Sequence, residues 1–347
     1  MVRTGSASAA AGPTLAVVAR EAGVSVPTAS KVVNGREDVA PETRRRVTEA
    51  LDRLGYVRRP RFDTAKAPRL VDLVVQSLES PWSGAVLHGV TEAAYDVGLE
   101  VVVCAAPARD RGGRPERGWL DRLGARGSHG VLFDLAELSE SQYAWLEQHR
   151  IPYVMIDPVR EPPPGVVSVG AANWQGGVSA TEHLLALGHE RIAVIAGPRR
   201  TVSSSARVAG YRSALASAGV EQRAAYVRHG AFDEAAARRR MLELLDLPEP
   251  PTAVFVCSDR MALGVYEALA ERGLRVPDDV SVVGFDDLPE SRWVSPALTT
   301  VRQPLSEMAA TAVRLLVRMM DGSRPEGTRT ELSTRLIERA STARPRG

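Results

Sequence analysis

The sequence has few of the residues that mark a secreted or metal-binding protein. Its 347 residues include only two cysteines, Cys104 and Cys257, each inside an apolar run (VVVCAA and AVFVCS). Two cysteines this far apart predict buried thiols that pack as small hydrophobic groups, and they exclude a disulfide framework or a cysteine-based zinc site.

Long apolar runs are also missing. No stretch approaches the roughly 18–20 apolar residues of a membrane helix. The first thirteen residues, MVRTGSASAAAGP, lack the apolar centre of a secretory signal, and we expect residues 1–13 to form a disordered arm. These features predict a cytoplasmic protein with no membrane partner.

Signature motifs of the common enzyme classes do not occur. The sequence has no G-x-G-x-x-G, no G-x-x-x-x-G-K-[ST], no G-x-S-x-G and no H-E-x-x-H. We therefore expect a protein that is not an enzyme and that binds no metal ion or other cofactor.

Charge is distributed unevenly along the chain. Residues 1–69 hold thirteen Lys or Arg against seven Asp or Glu, a net charge of +6, whereas residues 70–347 carry a net charge of −4. A compact basic segment is the electrostatic feature expected of a nucleic-acid partner. Because a solvated basic arm would look the same, the charge needs a motif to support it.

Three short helices are predicted in the basic segment. Thr14 can cap the first, and a glycine ends it; Ser25 is a good N-cap for the second, with Pro27 tolerated in its first turn. A third helix starts at Pro41 and stops at Gly55. Two short helices joined by a glycine-containing turn form a helix-turn-helix, whose second helix lies in the DNA major groove. A three-helix protein-interaction module is the alternative.

The second helix supplies the residues predicted to contact bases. Val26, Pro27 and Thr28 lie at its N-terminal end, where apolar groups can contact a thymine methyl, and Lys31 is its one long donor. Contacts to phosphates position a protein without specifying sequence. The residues assigned to the DNA backbone in this segment are Thr14, Ser25, Asn34, Arg44, Arg45 and Arg46.

The whole run TLAVVAREAGVSVPTASKVVNGREDVAPETRRRVTEALDRLGY resembles the DNA-binding domain of the lactose/galactose-repressor family of bacterial transcription regulators. The resemblance assigns residues 14–57 to that domain and 58–69 to a hinge that orders on operator DNA. It also implies a wedge, usually leucine, inserted into the minor groove.

The hinge departs from the family pattern. Pro60 interrupts it, and Ala65 stands about where the leucine belongs. Unstacking a base step costs a few kcal/mol, which alanine buries too little surface to offset, so we expect Phe62 to be the wedge. The hinge residues expected to contact phosphates or a narrow minor groove, with less DNA bending than is usual in the family, are Arg58, Arg59, Arg61 and Lys66.

Beyond residue 69 the pattern changes to alternating apolar strands and helices, which predicts α/β layers with parallel sheets. Nearly continuous apolar strands such as IAVIAG and VSVVGF indicate burial on both faces of a sheet. Two lobes with a cleft between them are expected. The predicted strands are Leu70–Gln76, Leu99–Ala105, Gly130–Phe133, Pro152–Asp157, Arg191–Gly197, Ala253–Ser258, Val280–Phe285 and Leu298–Val301.

The resemblance extends over this region through NWQGGVSATEHLLALGHERIAVIAGP and PTAVFVCSDRMALGVYEALAERGLRVPDDVSVVGFDD. It implies an effector-binding and dimerisation domain, residues 70–342, like a periplasmic sugar-binding protein with two Rossmann-like subdomains, and a tail at 343–347. The expected fold is thus a small all-α helix-turn-helix domain followed by this two-lobed α/β domain. The N-subdomain is expected at about 70–168 and 302–327, and the C-subdomain at about 169–301 and 328–342.

Ligands of open α/β sheets lie beyond the carboxyl ends of the strands. Asp157, Ser258 with Asp259, and Asp286 follow predicted strands, and carboxylates, an arginine fork and aromatic rings suit sugar hydroxyls and the apolar sugar face. Asp259 and Asp286 could instead cap the segments that follow them. According to the resemblance and the loop positions, the expected effector contacts are Trp82, Asp157, Asn173, Trp174, Arg207, Ser258, Asp259 and Asp286.

The prediction is therefore a homodimeric repressor that binds palindromic operator DNA and responds to a small effector, which we expect to be a sugar. A regulator that answers to a purine or another non-sugar co-repressor remains open. A transport-type sugar-binding protein shares the architecture of the large domain, but the DNA-binding domain and the missing export signal count against it.

Overall fold

The computed structural model describes residues 13–36, 38–56, 69–105 and 118–346. The chain divides into two compact units between residues 67 and 68. The predicted arm falls outside the described residues except for Pro13, and the hinge contacts Arg58, Arg59, Arg61, Phe62 and Lys66 fall outside them as well.

In its described part, the first unit consists of three helices: α1 (Leu15–Glu21), α2 (Val26–Val33) and α3 (Pro41–Leu54). Their apolar faces meet in one small core that includes Val18, Ala29 and Val47. The turn between α1 and α2 contains Gly23 at φ +63°, a left-handed conformation that glycine adopts without steric cost. The three predicted helices are therefore present with the predicted turn.

The second unit contains helices and strands in alternation. Its helices in the described residues are α4 (Pro81–Asp96), α5 (Gly118–Arg126), α6 (Glu140–Gln148), α7 (Asn173–Ala186), α8 (Val202–Ser217), α9 (Glu234–Leu245), α10 (Asp259–Glu271), α11 (Glu290–Trp293) and α12 (Leu305–Met320), with a 3-10 turn at Ala224–Tyr226. Its strands are β1 (Arg69–Val75), β2 (Leu99–Ala105), β3 (Gly130–Asp134), β4 (Tyr153–Ile156), β5 (Ser168–Ala171), β6 (Ile192–Ala196), β7 (Val227–His229), β8 (Ala253–Val256), β9 (Ser281–Asp286), β10 (Thr299–Arg302), β11 (Arg329–Leu332) and β12 (Arg335–Ile337).

These strands form two six-stranded sheets within the described residues. The first has the order β11-β5-β4-β3-β1-β2 and is parallel; the second has the order β12-β10-β9-β8-β6-β7, with only β12 antiparallel. In the first sheet, Leu73 of β1 lies between Val103 and Leu132. Helices cover both faces of each sheet, which explains the continuously apolar central strands.

Each sheet has an apolar core on both of its faces. In the first sheet, Val86 and Met308 belong to the core between the sheet and helices α4 and α12, and Phe133 belongs to the core on the opposite face. In the second sheet, Met241 lies under α9 and α10, while Tyr211 lies under α7 and α8. Two separate double-sided cores make two subdomains, as predicted.

The chain crosses between the sheets three times, at residue 172, at 303–304 and at 333–334. The predicted subdomain borders at 168/169 and 327/328 therefore lie a few residues too early, because β5 and β11 pair with each other in the first sheet. Both strands are only four residues long, and β11 (RTEL) has a single apolar residue.

All eight predicted strands are present, and the four that were missed, β5, β7, β11 and β12, are three or four residues long.

One prediction about the cysteines needs correction. Cys257 is fully buried, but Cys104 is only half buried and its thiol donates to Asp72 Oδ1 at 3.0 Å. The reason is that Cys104 lies on β2, an edge strand of the first sheet.

A search for membrane-spanning segments, confined to the described ranges, finds no helix of sufficient length and apolarity to cross a bilayer.

Candidate functional site

The exposed start of α2 has the features expected of a base-reading helix. Ser25 caps the helix, because its hydroxyl oxygen accepts from the Thr28 amide at 3.3 Å, and the two hydroxyls are 2.8 Å apart. Val26 is 44% exposed and Pro27 is exposed beside it. Apolar side chains at an exposed helix start are available for contact with thymine methyl groups.

The two longer polar side chains of this region already have partners inside the unit. Lys31 forms an exposed ion pair with Asp38 at 2.6 Å, and this bond holds the pKa of Asp38 below its ordinary value. Asn34 donates to the Ser30 hydroxyl at 3.2 Å. A DNA contact by Lys31, as predicted, would require this ion pair with Asp38 to break.

The predicted backbone contacts divide into exposed and structural residues. Thr14 occupies the N-cap position of α1 but makes no capping bond, and it is exposed. Arg44 donates to the Arg36 carbonyl. The side chain of Arg45, in contrast, is 69% exposed, and its ion pair with Glu49 is long, at 3.8 Å. Thr14 and Arg45 can thus reach a phosphate without breaking strong internal contacts.

Arg46, a predicted phosphate contact, also makes hydrogen bonds inside the first unit, although the residue is exposed. Its Nε donates to the Ala22 carbonyl at 3.2 Å, and its Nη2 donates to the same carbonyl and to that of Gly23 at 3.1 Å. These carbonyls belong to the turn between α1 and α2, and a charged donor to a backbone carbonyl makes a strong hydrogen bond. Arg46 braces the turn.

In the second unit, the carboxyl ends of both sheets face a cavity of about 770 Å³, within the size range of small-molecule sites. Five of the predicted effector contacts line it. They are Trp82, Asp157, Arg207, Ser258 and Asp286.

Arg207 is the most constrained of these residues. It is 3% exposed, its Nε donates to Asn173 Oδ1 at 2.8 Å, and its Nη1 donates to the Cys257 carbonyl at 2.6 Å. The guanidinium carbon lies 3.7 Å from the ring centroid of Phe285 and Nη1 lies 3.7 Å from Asp286 Oδ1. The guanidinium is thus held in one orientation at the cavity wall.

Close packing of α7 against α8 sets this orientation. A Cβ atom on Gly177 would lie 2.3 Å from the Arg207 carbonyl oxygen, and one on Gly210 would lie 2.1 Å from the Trp174 carbonyl oxygen. Only glycine permits this approach at both helices. The two glycines therefore allow Asn173 at the start of α7 to reach Arg207 in α8.

The carboxylates in the cavity are held away from water. Gln303 donates to Asp286 Oδ1 at 2.6 Å. Burial raises the pKa of Asp286 to about 7, although Arg207 opposes the shift. Burial also raises the pKa of Asp157, and Arg207 again works in the opposite direction. Carboxyl groups of this kind can exchange hydrogen bonds with sugar hydroxyls in either protonation state.

Trp82 and Ser258 have structural as well as cavity-facing parts. Trp82 lies in the first turn of α4, where it is largely buried, so that its ring both packs in the core and borders the cavity. Ser258 lines the cavity and also caps α10, because its hydroxyl oxygen accepts from the Met261 amide at 3.3 Å.

Three predicted effector contacts do not line the cavity. Asn173 lies behind Arg207, and Trp174 is 44% exposed on the outer side of α7. Asp259 is fully buried and accepts from the Leu288 amide at 2.9 Å and the Thr300 hydroxyl at 2.5 Å. Asp259 is therefore a structural acid that links the start of α10 to the loop after β9 and to β10, and the capping role considered as its alternative belongs to Ser258.

Sequence reasoning missed several lining residues. These residues also follow strands, so the rule that ligands lie beyond the carboxyl ends of strands covers them as well. The missed side chains with polar or aromatic groups are Gln76, Ser80, Glu137, Arg160, Arg199, Arg200, Thr201, Ser203, Phe232 and Arg260.

Comparison with protein families matches two segments. Residues 14–59 match bacterial regulatory proteins, lacI family, and residues 181–342 match a periplasmic binding protein-like domain. The first segment contains the three helices of the first unit, and the second contains most of the second sheet and its helices.

Similar proteins cover nearly the whole chain. The HTH-type transcriptional regulator CelR of Thermobifida fusca is 36% identical over 95% of this chain and 98% of its own. The HTH-type transcriptional repressor PurR of Histophilus somni (strain 129Pt) is 31% identical over 94% and 98%, respectively. These relatives are transcription regulators.

Solved structures agree with this similarity. A CelR–cellobiose complex has a TM-score of 0.70 and 35% identity, and covers 95% of this chain and 99% of that one. The lac repressor dimer bound to operator and the anti-inducer ONPF has a TM-score of 0.72 and 28% identity, with 96% and 100% covered.

Proposed function

Because the chain belongs to the lacI family of bacterial regulatory proteins, we propose that it is a dimeric repressor that a small sugar releases from a palindromic operator. The observation that carries the sugar part of this proposal is the cavity in which Arg207, Asp157 and Asp286 converge at the carboxyl ends of two parallel sheets. The CelR–cellobiose complex supports a sugar over other effectors. Operator binding implies action in the cytoplasm.

Recognition of the DNA bases is assigned to α2. Val26, Pro27 and Thr28 read base edges in the major groove, while Thr14 and Arg45 contact phosphates. In a dimer, the two helix-turn-helix units contact two half-sites. Residues 1–69 carry a net charge of +6 in each chain, so the dimer brings about twelve excess positive charges to the DNA. Affinity for operator should fall steeply with salt concentration, because phosphate contacts release counterions.

Sugar recognition is assigned to the buried polar groups of the cavity. The Arg207 guanidinium donates to ligand oxygens, Asp157 and Asp286 accept from or donate to hydroxyls, and Trp82 offers an aromatic edge for the apolar sugar face. The fixed geometry around Arg207 means that little side-chain entropy is lost on binding.

Closure of the two subdomains is the proposed signal. Asp286 is bonded to Gln303, which lies in one of the three crossings between the sheets. The Val202 amide at the start of α8 donates across the cleft to the Val159 carbonyl at 3.0 Å. A sugar that contacts both sides would favour the closed arrangement, and a coupling of ~1–3 kcal/mol changes operator occupancy several-fold to about a hundred-fold.

Operator binding with and without sugars tests the proposal. DNA from upstream of the protein's own gene is titrated by fluorescence anisotropy in the presence of pentoses, hexoses, cellobiose and other short oligosaccharides, with purine bases as the alternative effector class. Release by one sugar supports the proposal. Indifference to sugars together with a purine response would replace it with the co-repressor alternative.

Two cavity variants locate the sugar site. Arg207→Ala and Asp286→Asn should keep operator binding and lose the sugar response, since both residues belong to the second unit. Trp293→Ala is a matched control because its side chain is 79% exposed and lies outside the lining. A normal sugar response in both cavity variants would place the site elsewhere.

A further inference from the structure

Positive charge is in excess around the cavity. Five arginines line it, against three acids. Two of the arginines are already neutralised by ion pairs: Arg160 with Glu137 at 2.8 Å and Arg260 with Glu234 at 3.3 Å. The remaining three belong to one short segment, the loop after β6 and the first turns of α8.

Two arginines of this segment have no acidic partner. Arg199 and Arg200 lie in the loop between β6 and α8, line the cavity and are exposed, and no ion pair involves either of them in the part of the chain that the structure describes. The other three arginines of the lining each have an acid within 3.7 Å. The loop thus presents two unneutralised guanidinium groups to the cavity.

The start of α8 adds to this positive field. The helix is 16 residues long, has no acidic residue in its first turn, and its N-cap residue Thr201 makes no side-chain capping bond. The first N–H groups of any helix lack partners within the helix, and the helix dipole favours an anion there. In α8 the Val202 amide already donates to the Val159 carbonyl, so the dipole and the later amides of the first turn remain for an anion. Thr201 and Ser203 both line the cavity at this end.

Arg207 provides an independent sign of a ligand group. Its side chain is almost fully buried and lines the cavity, yet Nη2 has no hydrogen-bond partner among the described residues, whereas Nε and Nη1 both do. Ser203 and Arg207 are four residues apart on α8 and therefore lie on the same face of the helix. The Nη2 donor of Arg207 is therefore available to a ligand in the cavity.

We propose that the sugar effector carries an acidic group, a carboxylate or a phosphate, which binds between Arg199, Arg200, Arg207 and the start of α8. This inference rests on the proposed sugar-responsive function and names the chemical class of the sugar. Asp157 and Asp286 also line the cavity and are left to bind the neutral hydroxyls.

Three disaccharides with one scaffold test the charge directly. Cellobiose is neutral, cellobiouronic acid carries a carboxylate, and cellobiose 6′-phosphate carries a phosphate. Each is titrated calorimetrically into the full-length protein and then into a preformed protein–operator complex. At least one acidic sugar should bind about 10-fold or more tightly than cellobiose and release the operator, and the preference should weaken at high salt. Which acid binds more tightly identifies the anionic group.

The arginines are tested by a double variant with a matched control. Arg199→Gln/Arg200→Gln should remove most of the preference for the acidic sugar over cellobiose, because it removes the two guanidinium groups of the lining that have no acidic partner among the described residues. Arg239→Gln removes an exposed arginine of α9 that does not line the cavity, and should leave all three affinities unchanged.

The outcomes separate this inference from the proposed function. Equal or tighter binding of cellobiose, or an acid preference that survives in the double variant, would overturn the acidic-sugar inference while leaving a sugar-responsive repressor in place. Failure of all three disaccharides and of the wider sugar panel to bind would overturn both.

Discussion

Arg45 and Arg46 are neighbours in α3, and replacing each with alanine should have opposite consequences. Arg46 donates to the carbonyls of Ala22 and Gly23 in the turn that joins α1 and α2. Arg45 is exposed, and its one ion pair, with Glu49, is long at 3.8 Å. We expect Arg46→Ala to destabilise the first unit and Arg45→Ala to weaken DNA binding.

The magnitudes follow from these contacts. A hydrogen bond from a charged donor contributes about 1.5–3 kcal/mol when buried, and less where water can replace it, as it partly can at Arg46. We therefore expect Arg46→Ala to lower the stability of the helical unit by about 1–3 kcal/mol. Arg45→Ala should change stability by less than about 0.5 kcal/mol, because exposed ion pairs contribute little. It removes one phosphate contact per protomer, so the salt dependence of a dimer should fall by about two counterions.

Hydrogen exchange on the full-length protein measures the stability of α1–α3, and operator binding at several salt concentrations measures the phosphate contacts. Reduced amide protection with an unchanged salt slope is expected for Arg46→Ala, and the converse for Arg45→Ala. If Arg46→Ala kept full protection and lowered the salt slope as much as Arg45→Ala does, Arg46 would be a phosphate ligand and the brace interpretation would be wrong.

Three further predictions concern single residues. Lys31→Ala should reduce the preference for operator over random DNA, measured by competition, and an equal loss on both DNAs would contradict base reading by Lys31. Burial raises the pKa of Asp134 to about 7, so its folded form holds a proton that the unfolded chain has lost; stability should fall as pH rises from about 4 to 7, by about 3 kcal/mol at most, and urea unfolding of Asp134→Asn should lack this part of the pH dependence. Gly177→Ala should cost about 1–3 kcal/mol and weaken sugar binding, whereas Gly84→Ala, which has open space around its Cβ in α4, should do neither in thermal unfolding and calorimetry.

Much of the fold could be predicted because its signals are local. The apolar runs of the eight predicted strands and the cap at Ser25 depend only on neighbours within a few residues. Asp157 and Asp286 could be placed in the cavity because parallel strands bring their carboxyl ends to one edge, so that position in the sequence predicts position in space, whereas the family resemblance placed Arg207 there. The family resemblance then supplied the order of the domains.

The roles of other polar residues depended on partners far away along the chain. Asp259 follows a strand as Asp286 does, yet it is withdrawn from the cavity by bonds to residues 29 and 41 positions later. Asn173 meets Arg207 across 34 residues, through two glycines whose importance lies only in the close approach of their helices. A pattern of neighbouring residues in the sequence cannot predict such long-range pairings.

The sequence by itself thus determined the helix-turn-helix, the alternation of strands and helices, and the edge of the sheets at which a ligand binds, because propensity, capping and periodicity act over a few residues. Only the tertiary structure decided that Arg46 braces a turn, that Asp259 and Asn173 support the cavity from behind, and that Arg199 and Arg200 line it without an ion pair to any other described residue. The physical reason is that a polar side chain takes its role from whichever donor, acceptor or solvent the packed chain brings next to it.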